Sequence, residues 1–132
     1  MKIKLIEVEK TVKELNQISS KRLPVLVSYA IRKNCNILTE ELKDVSEVRC
    51  SILENYAKKD GDGNVVIEDG KYQFENTKLQ ETALEEVNKL YDKEADIQVT
   101  TISLEELKAV DENELYDKLT GQEVDSLMFM IE

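Results

Sequence analysis

The run Asp60-Gly61-Asp62-Gly63-Asn64, followed by Ile67 and Glu68, puts oxygen donors at the first, third, fifth and ninth positions of a twelve-residue calcium loop. The second half does not complete that loop. Its sixth position, where the sharp turn requires glycine, is Val65, and its twelfth, where a bidentate glutamate closes the shell, is Lys71, whose ammonium opposes a cation. These residues tolerate positive φ and read better as the turn that ends a helix. Neighbouring carboxylates such as Glu105 with Glu106, or Asp111 with Glu112, are nominal acid–base pairs, but adjacent helical side chains point about 100° apart and share no site. The chain has no His, so neither Cys35, Cys50 nor any hydroxyl can have a histidine base, and a His-containing zinc site cannot form from one chain. The glycines, at 61, 63, 70 and 121, form no phosphate-binding loop before a helix. The expectation is a protein without catalytic residues, metal or cofactor.

The elements that would carry any surface are dominated by one helix. From Pro24 to about Lys58 the pattern is helical throughout, with Leu38, Leu42, Val45, Arg49, Ile52 and Tyr56 at alternating spacings of four and three. Such a helix runs about 50 Å, longer than a chain of 132 residues needs for a compact core. Val25 to Ile31 is apolar nearly all round and is expected to be buried. Beyond Leu38 the stripe narrows to a seam flanked by charges, so that half is expected to project. Cys35 and Cys50 lie fifteen helical steps apart, roughly 22 Å, and are expected to be free thiols.

Before the long helix, Lys2 to Leu5 alternates like a short strand, and Val8, Val12, Leu15 and Ile18 mark the apolar face of a first helix ending near Ser19-Ser20. Pro24, having no amide hydrogen to leave unpaired, is expected at the first position of the second helix. After it, Val65 to Phe74 reads as a tight hairpin turning at Asp69-Gly70, and Asn76 caps a helix whose stripe is Leu79, Ala83, Val87, Leu90 and Tyr91. Ala95 to Ile102 alternates as a strand able to pair with Lys2 to Leu5. Ser103 with Glu106, and Thr120 with Glu123, are capping boxes that start two short helices. The apolar end, Val124 to Ile131, is expected in the core.

Charge is divided unequally. Residues 1 to 36 carry eight basic and three acidic side chains, a net of +5, and the remainder carries −15, for a total of −10. A dense basic patch is missing, which argues against direct nucleic-acid binding. No run of about 18 apolar residues occurs, and Met1-Lys2-Ile3-Lys4 lacks the apolar stretch of a signal peptide, so neither a membrane nor export is expected.

Leu23-Pro24 with Ser28-Tyr29-Ala30-Ile31-Arg32-Lys33, then Tyr56 to Asn64, then Ile97 to Leu107 with Met128-Phe129-Met130-Ile131-Glu132, give an order of elements that resembles a family of small tailed-phage and prophage proteins, a domain of unknown function. The likeness covers most of the chain and its motifs specify shape. It implies a phage or prophage origin and a non-enzymatic role, and it carries over no functional site; with neither membrane nor export signal, the host cytoplasm is the expected location.

The expectation is a single α+β domain, predominantly helical. Residues 1–37 and 94–132 form a base with a short two-stranded sheet, and 38–93 a projecting antiparallel helical hairpin tipped by a β-hairpin. Its expected role is protein–protein interaction. In the leading reading it is an acidic, anti-CRISPR-like inhibitor whose Glu105, Glu106, Asp111, Glu112, Glu114 and Asp117 occupy the nucleic-acid groove of a basic host defence factor. In the alternative it is a virion assembly or structural accessory protein, a homo-oligomer or particle component joined through Leu42, Val45, Ile52 and Tyr56.

Overall fold

Val8, Val12, Leu15 and Ile18 recur at helical spacing, and in the computed structural model, which describes residues 1–132, they line the buried face of α1, Leu5–Ser19. This face packs against the first half of α2, Val25–Tyr56, which buries Val27, Ala30, Ile31, Asn34, Cys35 and Leu38. At 32 residues α2 is about 48 Å long. Pro24 stands just outside it as the N-cap, with extended backbone, one position earlier than expected. The expectation that Val25 to Ile31 would be buried all round fails on one side. Val25 is 82% exposed, Leu26 60% and Tyr29 54%, because α1 and the C-terminal segment cover only the opposite face.

Beyond Val45 α2 leaves the base and pairs with α3, Thr77–Tyr91, whose N-cap Asn76 accepts the Leu79 amide at 2.9 Å. Leu53, Ala83 and Val87 form a small second cluster here, flanked by Ile52, Tyr56, Tyr72, Phe74 and Tyr91. At the tip, β2 (Ile67–Glu68) and β3 (Lys71–Tyr72) pair antiparallel, turning on Asp69 and Gly70, both at positive φ, as an Asp-Gly hairpin turn requires. The helix stops at Tyr56, two residues before the expected end. Ala57 is extended, and the Lys58 amide donates to the Gln73 carbonyl while its carbonyl accepts from Val66, so the hairpin takes this backbone as an added edge.

The base sheet is shorter than the alternation of Ala95 to Ile102 suggests. β1 (Lys2–Lys4) pairs with β4 (Glu94–Asp96) in the register Lys2 to Asp96, Ile3 to Ala95 and Lys4 to Glu94. The rest of the extended stretch bonds to other partners. The Asn34 side chain donates to the Thr100 carbonyl at 2.8 Å and accepts the Thr100 amide at 2.7 Å, doing for Thr100 what a neighbouring strand would do. Ile102 then bridges to the C-terminal segment, receiving the Glu132 amide and donating to the Met130 carbonyl. Two short helices, α4 (Leu104–Glu112) and α5 (Gly121–Leu127), each open with a complete capping box, and a 3₁₀ turn at Met128–Met130 closes the chain. Leu127 and Met130 are fully buried among the nineteen residues of the main core. The fold is α+β and predominantly helical, and no helix is long and apolar enough to cross a membrane.

Asn34 is the one buried polar side chain, 1% exposed, and its amide both donates to and accepts from the Thr100 backbone. Asn34→Leu keeps the volume and strands both Thr100 backbone groups, so it is expected to lower unfolding free energy by about 3 kcal/mol, read as a lower urea midpoint at unchanged slope.

Candidate protein-binding surface

α4 begins where Ser103 accepts the Glu106 amide at 3.1 Å and Glu106 accepts the Ser103 amide at 3.2 Å. Leu107 and Val110, three apart, turn into the core and fix which face of α4 meets solvent. That face carries Glu105, Asp111 and Glu112, with Leu104 and Lys108 between them. The helix ends at Asn113, whose side chain accepts the Leu115 amide at 2.9 Å, and Glu114 stands exposed in that turn. A cleft of about 180 Å³ adjoins this face, lined by Leu104, Leu107, Lys108, Val110, Asp111, Leu119 and Val124.

The six carboxylates expected to act together separate into two sets. Glu105, Asp111, Glu112 and Glu114 are exposed and form no ion pair. Glu106 is engaged in the cap. Asp117 is engaged with Arg22, accepting its backbone amide at 2.7 Å and its guanidinium at 3.2 Å, while the Asp117 amide donates to the Arg22 carbonyl at 2.8 Å. Those bonds from Arg22, the backbone one foremost, hold the Asp117 carboxyl below its ordinary range. Glu123 is held low in the same way, first by the Lys21 ammonium at 2.7 Å and then by the Thr120 amide.

Of the seam residues Val45 is buried, and Leu42, Ile52 and Tyr56 are half-buried. Val45 is in the main core and Leu42 packs against it, while Ile52 and Tyr56 pack on the Leu53, Ala83 and Val87 cluster. Arg49, on the same stripe, is exposed beside a cleft of about 500 Å³ between α1, α2 and α3. Tyr56 donates to Glu86 at 2.6 Å, which raises its phenol pKa, and Tyr72 donates to Glu54 at 3.1 Å. Desolvation and then the bond to Glu54 push the Tyr72 phenol up to about 12. In the turn at 60–64, one Asp60 oxygen accepts the amides of Asp62 and Asn64, so this carboxylate closes the turn. Cys35 and Cys50 are free, and the buried Cys35 thiol donates to Asn16 at 3.2 Å.

Sequence reasoning missed Asn34 and the engagement of Lys21 and Arg22. A signal existed for the first, since Asn34 continues the buried positions Val27, Ile31 and Leu38, where a polar residue needs a partner.

Because Asp117 and Glu123 titrate below their ordinary values of 3.8 and 4.5 when folded, they stabilise the fold fully above those values, and this contribution is lost as pH falls through the folded values. The thermal midpoint is expected to drop over that acid limb, and Asp117→Asn with Glu123→Gln should flatten it, as followed by circular dichroism melts at stepped pH.

No family model, no curated protein and no solved structure matches the chain.

Proposed function

We propose that the chain is a non-catalytic binding protein which presents the exposed face of α4 to a basic partner, as a phage-encoded inhibitor of a host nucleic-acid-binding defence factor. The observation that carries the reading is the set of four unpaired, exposed carboxylates, Glu105, Asp111, Glu112 and Glu114, beside an apolar cleft. Their charge favours encounter with a surface made for phosphates, and the cleft between α4 and α5 can receive one apolar side chain of the partner. The phage origin rests on the likeness of the sequence motifs, and the host cytoplasm as its place of action on the expectation of neither membrane insertion nor export. The assembly reading through Leu42, Val45, Ile52 and Tyr56 draws less support, because Val45 is buried and the other three are half-buried against the two apolar clusters, which leaves them little free surface.

The test is affinity capture of the tagged chain from infected or lysogenic cells, washed at low and then high salt, beside a variant with Glu105→Lys, Asp111→Lys, Glu112→Lys and Glu114→Lys. The expected catch is a basic nucleic-acid-binding host protein whose binding falls about tenfold or more with salt and is lost in the variant. Phage structural proteins held equally by both forms at high salt would overturn the reading in favour of assembly.

A further inference from the structure

The exposed stripe of α2 is formed by Val25, Tyr29, Arg32, Asn36, Glu40, Lys43 and Glu47, all open to solvent and opposite the buried positions Val27, Ile31, Asn34 and Leu38. Their spacings, four, three, four, four, three and four, are the same read in either direction from Asn36. Arg32, Glu40, Lys43 and Glu47 form no ion pair within the chain. The stripe is also ordered by chemistry, apolar at Val25 and Tyr29, basic at Arg32 and acidic from Glu40 onward, with Lys43 interposed.

We infer that this stripe is a docking surface for a second copy of the chain, the two α2 helices crossing antiparallel about a twofold axis at Asn36. In that register Arg32 of each copy faces Glu40 of the other, Tyr29 faces Lys43, and Asn36 meets Asn36. Twofold symmetry supplies each contact twice. The opposite-charge pairs attract, a lysine over a tyrosine ring is a cation–π contact, and two asparagine amides can bond to one another. The same ring already attracts a cation within the chain, with the Lys33 ammonium 5.9 Å from its centroid. A parallel arrangement would set Arg32 on Arg32 and Glu40 on Glu40, so charge selects the antiparallel one. Val25, exposed and unused by the core, faces Glu47 in this register, so the contact is held by its polar and cation–π pairs rather than by apolar burial.

The stripe from Val25 to Glu47 is about 33 Å long and one helix, about 10 Å, wide. That footprint is smaller than the roughly 800 Å² per partner of a standard interface, so the association is weak and belongs to high protein concentration. None of its residues belongs to α4, and it holds or fails independently of any partner at that helix.

Sedimentation equilibrium of the full chain at about 100 μM is expected to return twice the 15.2 kDa monomer mass. Arg32→Glu alone and Glu40→Arg alone each set like charges across the axis and are expected to weaken association about tenfold or more. Mixing the two variants in equal amounts restores it, because each now carries the charge that the other lacks, an outcome that a fold defect in either variant would not produce. A monomer at this concentration, a dimer indifferent to both reversals, or a mixture no tighter than its components would overturn the proposal.

Discussion

The contact between the Asn34 side chain and the Thr100 backbone determines how the two ends of this chain share one core. A primary amide has a donor and an acceptor side by side, and here both are used on one residue of an extended segment, at 2.8 and 2.7 Å. A neighbouring strand would have needed a second rigid element in this place. One side chain on α2 suffices, and the Asn34 amide also lies 3.5 Å from the Met130 sulfur, so the same group touches the last buried residue of the chain. Ile97, Ile102, Leu127 and Met130 are then brought against Val27, Ile31 and Leu38 without leaving a buried side-chain polar atom unpartnered.

The uneven charge has a structural side as well as an external one. Lys21 and Arg22, in the short connector between α1 and α2, reach across to Glu123 and Asp117 near the other end of the chain. Lys21 also donates to the Lys118 carbonyl at 3.0 Å. The basic beginning and acidic end therefore hold each other at the base, while α4 keeps a surplus of carboxylates facing water. Surface ion pairs are individually weak, and the backbone bonds between Arg22 and Asp117 do more to set the geometry than the charge alone does.

Much of the architecture was legible in the sequence because it follows from local chemistry. Leu23-Pro24 announces the start of α2, Asp69-Gly70 has the positive-φ tolerance the hairpin turn uses, and Ser103 with Glu106 spells out a cap that then forms. The limits of β4 were not legible, because they follow the three residues of β1 opposite, while the extended chain beyond bonds to Asn34, sixty-six residues away from Thr100. The exposure of Val25, Leu26 and Tyr29 escaped for the same reason: periodicity shows that a face is apolar, but not whether another element arrives to cover it. Among the acidic residues, composition could not separate Asp117 from Glu114, since only tertiary contact with Arg22 distinguishes them. Glu106 carried two readings at once, cap and surface, and its place three residues after Ser103 favoured the cap.

The α2–α3 part of the molecule has only four buried apolar residues, Leu53, Ala57, Ala83 and Val87, against the nineteen of the main core, yet α2 runs through both without a break. Amide protection should therefore change along a single helix. Hydrogens before Leu42 should be the more protected and those past Val45 the less, since a much smaller apolar cluster holds the latter part in place. One continuous rod thus spans two regions of different opening free energy, and the tip can loosen on its own while the base stays closed.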